Sequence, residues 1–198
     1  MTDSPETRAS LLLRLRDASD DNAWNDFVEL YTTLVFRFAK RKGLQDADAV
    51  NISQNVMFKV FKAIREFEYD PRKGGFRKWL FTVCRTQLID YLRRETRHPQ
   101  GNGASSFIKV LEDHPDQADE REIWANEHRL CVLEWGFRKV QAEVAESTWL
   151  AFEKTTVEGR PVRDVSKELS LSEGAVYTAR SRVLAKLKAT IASVGQEG

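Results

Sequence analysis

The side chains that most often do acid–base, nucleophilic or metal chemistry are few in this sequence and far apart. The three histidines, His98, His114 and His128, lie at wide and irregular intervals that match no metal-ligand motif. The two cysteines, Cys84 and Cys131, do not form a paired-cysteine motif, and we expect free core thiols in a reducing cytosol. These residues predict no catalytic site, no metal and no other cofactor.

Two other short patterns exclude further classes of protein. The pair Gly74-Gly75 is too short for a phosphate-binding loop and lacks the Lys-Ser/Thr ending of such a loop. The apolar run at residues 11–13 is shorter than a signal-peptide core, and no stretch is long enough to span a bilayer. We therefore expect a cytoplasmic protein without a membrane partner.

Charge is distributed unevenly along the chain, although the net charge is only +1. Residues 72–97 carry eight basic and two acidic side chains, and residues 177–188 carry four basic side chains and no acid. Between them, residues 112–127 carry seven acids and one arginine. Two basic segments that flank an acidic one suit a protein that binds nucleic acid.

Helical periodicity runs through the sequence and, with few Gly and Pro residues, predicts an all-α fold. Three helices would form a first domain: one that Asp20 or Asp21 caps and Gly43 ends, one over about residues 46–67, and one that starts near Phe76. Their expected inward residues are Trp24, Phe27, Tyr31, Leu34, Phe38, Met57, Val60, Phe61, Ile64, Phe67, Trp79, Leu80, Val83, Leu88 and Leu92.

A segment that contains several Gly, Pro and Ser residues divides the chain, and we predict a flexible linker there. Helices are expected again from Glu120 and around Trp149, with a break at Gly159. The predicted organisation is a lead-in at residues 1–20, a first domain at residues 21–97, the linker at residues 98–119, a second domain at residues 120–192 and a tail at residues 193–198.

The second domain contains a predicted helix-turn-helix at residues 161–188. Pro161 suits the first turn of a short helix, and the Ser172 hydroxyl can cap a longer helix after the turn. The outer face of the longer helix has no acid and can enter a major groove. The inner residues are Val162, Val165, Leu169, Val176, Ala179, Val183 and Leu187, and the outer residues are Gly174, Tyr177, Thr178, Ser181 and Arg182.

The third helix of the first domain mixes aromatic and basic residues beside a Gly-rich basic loop, which suits an unpaired nucleic-acid strand. Its sequence resembles the promoter-melting helix of bacterial sigma factors of the extracytoplasmic-function group: Phe76-Arg77-Lys78-Trp79-Leu80, then Val83, Arg85, Asp90 and Arg93-Arg94. The preceding helix is similar to the group's Asp-Ala-Glu-Asp-x-x-Gln-Glu motif, with Asp48-Ala49-Val50-Asn51-Ile52-Ser53-Gln54-Asn55. The C-terminal half resembles the second domain of planctomycete-type members, and the whole resemblance covers about residues 21–191.

The resemblance implies two small helical domains, sigma domain 2 and sigma domain 4, that bind core RNA polymerase and promoter DNA and melt the −10 region. Docking on the β′ clamp helices would use Asp48, Asn51, Gln54, Asn55 and Lys59, and the β flap would be a second contact. The −10 strand would be held by Tyr69, Arg72, Lys73, Arg77, Lys78, Arg85, Thr86, Gln87, Asp90, Arg93 and Arg94. The −35 element would be read by Ser172, Glu173, Gly174, Ala175, Tyr177, Thr178, Ser181 and Arg182.

Some positions depart from the family pattern. Asn51 and Asn55 replace carboxylates, which would weaken charge complementarity with the polymerase. Ser170 stands where a turn glycine would adopt a left-handed backbone more easily. Arg180 replaces a core leucine, and we expect it to pair with Asp164 or Glu168, or to bend toward a phosphate.

Two other functional classes stay open at this point. One is a helix-turn-helix regulator that does not associate with polymerase and whose first domain senses a ligand or dimerises. The other is a degenerate sigma-like adaptor, which the loss of carboxylates from the docking motif favours. The basic third helix favours a sigma factor, because a protein that reads only duplex DNA needs no strand-trapping loop. The promoter sequence, the inducing signal and control by an anti-sigma factor or a kinase are not determined by the sequence.

Overall fold

The computed structural model describes residues 10–17, 19–67, 75–96 and 118–194. Within these ranges the regular structure is helical and no strand occurs, which confirms the all-α prediction. The helices are α1 Ser10–Leu15, α2 Asp21–Arg41, α3 Asp46–Ala63, α4 Gly75–Thr96, α5 Ala118–Glu143, α6 Glu146–Phe152, α7 Val162–Glu168 and α8 Glu173–Ser193. A π-helical turn, Glu153–Val157, directly follows α6.

The described residues form two compact units, which we call the N-terminal unit, residues 11–131, and the C-terminal unit, residues 132–194. The division therefore falls inside α5. The sequence placed the start of the second domain at residue 120, whereas residues 118–131 belong to the N-terminal unit by their contacts. The role of each predicted domain remains a prediction.

Helices α2, α3 and α4 supply the core of the N-terminal unit. Asp20 caps α2 by accepting a hydrogen bond from the backbone N–H of Ala23 at 2.9 Å. The buried rings of Phe27, Tyr31 and Phe76 lie 4.6 to 5.7 Å apart between centroids and join α2 to α4. The predicted inward face of α2 is thereby confirmed at these positions.

One predicted core residue of α3 lies outside the core. The prediction that Phe61 faces inward is wrong, because its side chain is 49% exposed. The buried stripe of α3 runs through Val56 and Val60 to Ile64, and Phe61 lies one position beyond that stripe. Its ring packs beside Trp24, at 5.2 Å between centroids.

The first half of α5 completes the N-terminal unit. Residues at helical spacing turn one stripe of this helix toward α2 and α4: Glu120, Trp124, Glu127, His128 and Cys131, all of them buried. The Trp124 ring packs between Phe38 and Phe81, with centroids 5.3 and 5.6 Å away. This packing is the physical reason why residues 118–131 join the N-terminal unit.

Two apolar clusters form the core of the C-terminal unit. One contains Val140, Trp149, Phe152, Val183 and Leu187, and the other contains Ala151, Val165, Val176 and Ala179. Val162, Leu169 and Leu171 pack against the second cluster. The four residues predicted to line the inner face of the longer helix are all buried, so that prediction is confirmed.

The ends of α2 and α7 use the same hydrogen-bond pattern with different residues. After α2, the N–H of Gly43 donates to Lys40 and the N–H of Leu44 to Ala39, and Gly43 has φ +85°. After α7, Ser170 occupies the position equivalent to Gly43. Its N–H donates to Lys167 at 3.3 Å, and its φ of 54° is the one left-handed value at a non-glycine residue in the described ranges.

Replacing this serine by glycine should stabilise the C-terminal unit. We expect Ser170→Gly to raise the free energy of unfolding by about 1 kcal/mol, because glycine adopts a left-handed backbone without the Cβ clash of serine. Urea denaturation with amide hydrogen exchange of residues 162–193 measures the change. The matched control is Ser181→Gly in the middle of α8, which should lower stability by about 0.5–1 kcal/mol. A destabilising Ser170→Gly would contradict the strain argument.

Candidate nucleic-acid interface

The outer face of α4 carries most of the exposed cations predicted to hold a DNA strand. Lys78, Thr86, Arg93 and Arg94 are exposed, and their spacing places the first three on one side of the helix. The Thr86 hydroxyl donates to the carbonyl of Thr82 at 2.8 Å, so its remaining lone pairs point outward as acceptors. The cations of this face suit phosphate oxygens, whereas the Thr86 hydroxyl, as an acceptor, suits a donor group of a base or sugar.

One predicted strand ligand of α4 is engaged inside the N-terminal unit, and a second is half-buried there. Arg85 is 14% exposed, and its Nε donates to Oε2 of Glu120 at 3.1 Å. The same buried carboxylate accepts a 2.5 Å bond from Nζ of Lys42. Arg77 is half-buried, and its charge adds to the effect of burial in lowering the pKa of the His128 imidazole. The sequence did not anticipate these partners, because Glu120 lies 35 residues after Arg85.

The other predicted strand ligands either bond to each other or lie outside the described residues. Nε2 of Gln87 donates to Oδ2 of Asp90 at 3.4 Å, and both side chains are half-buried. Tyr69, Arg72 and Lys73 lie outside the described residues. Their predicted contact with DNA stays a prediction.

The predicted docking residues share one exposed side of α3. Asn51, Gln54, Asn55 and Lys59 are exposed, and Asp48 is half-buried. Beside them lies an apolar stripe that the sequence interpretation missed: Val50, Phe58 and Phe61 are 44%, 59% and 49% exposed. Phe58 and Phe61 lie eight and eleven residues after Val50, which is helical spacing, and this pattern could have revealed the stripe.

The helix-turn-helix places its predicted outer residues at the surface. The Ser172 hydroxyl accepts from the backbone N–H of Ala175 at 3.1 Å, which confirms the predicted cap of α8. Glu173, Gly174, Tyr177, Thr178, Ser181 and Arg182 are exposed, and Ala175 is half-buried. The helix α7 begins at Val162, so Pro161 lies at the position directly before the helix and not in its first turn as predicted. No acidic side chain projects from this face beyond the first residue of α8.

Arg180 does not form the predicted pair with Glu168. The Glu168 carboxylate is held by Lys154 at 2.9 Å and by Arg160 at 2.6 Å, and hydrogen bonds from these two cations lower its pKa. Within the described chain, Arg180 has no ion pair and is half-buried. The alternative that Arg180 bends toward a phosphate remains a prediction.

The two cysteines match their predicted core positions. Cys84 and Cys131 are buried and form no disulfide, and burial raises the pKa of the Cys84 thiol so that it stays protonated. Among the described residues, no group of three or more His, Cys, Asp or Glu side chains is placed to hold a metal ion. No described helix has the length and apolar character needed to cross a membrane.

Comparison with known proteins bears on the N-terminal unit. Residues 27–98 match the family model for Sigma-70 region 2. This region begins within α2, includes α3 and α4, and ends just beyond α4. It therefore contains the predicted docking face and the predicted strand-binding face, whereas the helix-turn-helix lies outside it.

Two curated relatives are ECF RNA polymerase sigma factors. The chain is 28% identical over 132 residues to RpoE of Cereibacter sphaeroides, an alignment that spans 66% of this chain and 70% of the relative. It is 29% identical over 85 residues to SigE of Mycolicibacterium smegmatis, which spans 41% of this chain and 32% of that relative. The resemblance to ECF sigma factors inferred from the motifs is supported, and the planctomycete-type variant stays a prediction.

Proposed function

We propose that this protein is a sigma factor that binds core RNA polymerase, directs it to specific promoters and helps to melt the −10 region for transcription initiation. The observation that carries the proposal is one chain with both a region 2 at residues 27–98 and a capped helix-turn-helix at residues 161–188. A helix-turn-helix alone occurs in many regulators. The proposed role consists of binding and strand opening and needs no catalytic group.

The docking face of α3 would contact the β′ clamp helices of the polymerase. The exposed amides of Asn51 and Asn55 carry no charge, so this face has less electrostatic attraction than carboxylates would give. The neighbouring side chains of Val50 and Phe58 offer apolar area that becomes buried on binding. We propose that apolar contact replaces part of the missing charge complementarity, which argues against the degenerate adaptor.

The strand-binding face of α4 would hold the −10 element. Lys78, Arg93 and Arg94 are the exposed cations of α4 for phosphates. Tyr69, Arg72 and Lys73, which lie outside the described residues, would supply further contacts. Arg85 would act from within the unit, because its guanidinium is engaged by Glu120. We assign Arg85 to positioning α4 against α5 rather than to direct phosphate contact.

The outer face of α8 would read the −35 element in the major groove. Tyr177, Ser181 and Arg182 project from one side of the first half of the helix, which is the part that enters the groove in this motif. The β flap is the proposed polymerase contact of the C-terminal unit. Control by an anti-sigma factor or a kinase is compatible with these surfaces and needs separate tests.

Transcription in vitro with purified core polymerase and a promoter library tests the proposal. We expect promoter-specific transcripts from the native chain, and roughly tenfold fewer from Arg93→Ala or Arg182→Ala, since a good DNA contact contributes about 1–3 kcal/mol. The matched control is Arg138→Ala, which removes an exposed arginine of α5 outside both faces.

The same experiment separates the alternatives. A regulator independent of polymerase would bind duplex DNA and fail to associate with core polymerase, and that result would overturn the proposal. An adaptor would bind a protein partner and give no promoter-specific transcript. Raising the salt concentration should weaken DNA binding steeply, with a smaller slope after Arg93→Ala because fewer counterions are released.

A further inference from the structure

A cavity of about 210 Å³ lies between α4 and the first half of α5, within the N-terminal unit. Its floor consists of the side chains of Phe81, Trp124 and His128, each at least 94% buried. Its rim carries the cations of Arg77, Lys78 and Arg121. The cavity therefore has an aromatic floor and a positively charged mouth.

The floor contains an unpartnered polar atom. Nε2 of His128 is buried and has no hydrogen-bond partner, and burial next to Arg77 lowers the pKa of the imidazole to about 4. The ring is therefore neutral at pH 7 and offers one donor and one acceptor nitrogen. The indole N–H of Trp124 is unpartnered as well, although Trp135 and Trp149 share that property. A buried polar atom without a partner is costly unless a ligand satisfies it.

The charged residues described at the cavity are all cations, and no carboxylate is among its described lining residues. Two acids of the first half of α5 are engaged by other cations, Glu120 by Lys42 and Arg85 and Glu127 by Arg41. The guanidinium and ammonium groups at the mouth thus favour an anion, and the floor favours a flat apolar body.

We propose that this cavity binds a planar ring that carries an anionic group. Its volume equals about seven water molecules at roughly 30 Å³ each, which suits one ring with a carboxylate or phosphate at the mouth. Such a ligand is available as a free aromatic acid or as a nucleotide of an unpaired strand. The ring would pack on Phe81 and Trp124 and meet His128, while the anion would contact Arg77, Lys78 and Arg121.

Binding here would go beyond promoter recognition. Lys78 lies both at the mouth of the cavity and on the proposed strand-binding face, so a free ligand and a DNA phosphate would compete for one cation. This consequence rests on the proposed function, whereas the binding itself does not. The experiment below measures binding without polymerase, so failure of one claim is distinguishable from failure of the other.

The first test is a titration of the full-length chain, followed by ¹H–¹⁵N NMR. Benzoate is the probe, and benzyl alcohol is the neutral analogue of similar size. We expect saturable shifts of the Trp124 indole and of amides in α4 and α5, with a dissociation constant of about 1–10 mM for so small a ligand. Benzyl alcohol should bind at least about tenfold more weakly, since it lacks charge-assisted hydrogen bonds.

Two variants locate the site. Ala125 is exposed on α5 and lines the cavity, so Ala125→Leu should fill the space and abolish the shifts without disturbing the buried floor. Ala142→Leu makes the same change at an exposed position outside the cavity and should leave binding unchanged. Lys78→Gln should weaken the binding of benzoate by about threefold to tenfold, because it removes one partly solvated cation.

Two results would overturn the proposal. One is no saturable benzoate shift up to about 50 mM, far above the expected dissociation constant. The other is unchanged binding of benzoate by Ala125→Leu, which would mean that the cavity plays no part. Binding of benzyl alcohol as tight as that of benzoate would likewise mean that the anion plays no part. If benzoate binds, a titration with a short single-stranded oligothymidylate distinguishes a free aromatic acid from a nucleotide of an unpaired strand as the ligand. A strand that by itself shifts the Trp124 indole as benzoate does identifies a nucleotide. A strand that displaces benzoate through Lys78 without shifting the indole, or that does not displace it, identifies a free aromatic acid.

Discussion

Neutralising Glu120 should destabilise the N-terminal unit more than any other single change on α5 that preserves side-chain size. We expect Glu120→Gln to lower the free energy of unfolding of this unit by about 3 kcal/mol. The carboxylate is 5% exposed and bridges two cations that are themselves 12% and 14% exposed, Lys42 and Arg85. Glutamine keeps the shape but removes the negative charge that the buried groups of Lys42 and Arg85 share, and desolvated charges are costly when a counter-charge is lost.

Amide hydrogen exchange in α4 and α5 measures this loss, because it reports on the N-terminal unit separately from the C-terminal unit. Asp119→Asn is the matched control, since it removes one carboxylate at the adjacent exposed position and should change stability by less than about 0.5 kcal/mol. Equal exchange rates in Glu120→Gln and Asp119→Asn would show that the bridge contributes nothing.

The C-terminal unit could be predicted in detail from local sequence patterns. Its cap at Ser172, its turn and its inner face depend on residues within about ten positions of one another, where helix periodicity and capping chemistry act directly. The left-handed residue was also located, because the family pattern places glycine at position 170. Local rules sufficed there, since neighbours in the chain are also neighbours in space.

The packing of α5 could not be predicted from the same patterns. The acidic stretch that begins at residue 112 looked like a solvated linker followed by a new domain, because sequence shows the sign of charges and not their partners. Glu120 and Glu127 reach cations 78 and 86 residues earlier in the chain. Such long-range pairs carry no periodic signal, so both the docked half of α5 and the engagement of Arg85 became visible only in the structure.

This packing bears on the proposed DNA contacts of α4. A guanidinium that is mostly buried in an ion pair cannot reach a phosphate without first losing its carboxylate. Arg85 therefore differs from Lys78 and Arg93, although all three lie on one helix and carry the same charge. Charge counts along a helix overestimate a nucleic-acid surface wherever a second helix supplies acids to part of it.

Lowering the pH should destabilise the N-terminal unit through His128. Burial and the nearby Arg77 lower the folded-state pKa of this imidazole from 6.5 to about 4. Between these two pH values the unfolded chain binds a proton that the folded chain does not, so this contribution to stability is complete above pH 6.5 and is lost as the pH falls toward 4. A pKa difference of about 2.5 between the two states corresponds to roughly 3 kcal/mol of stability lost between pH 6.5 and pH 4.

The comparison of the native chain with His128→Phe isolates this contribution from the carboxylates, which titrate in both proteins. Phenylalanine keeps a flat ring beside Tyr31, whose centroid lies 5.9 Å from that of His128, and cannot take up a proton. We expect the stability of the variant, followed by hydrogen exchange of α4 and α5, to fall by roughly 3 kcal/mol less between pH 7 and pH 4. Parallel pH profiles would mean that the imidazole is accessible enough to titrate normally, and the aromatic floor of the cavity would then be open to water.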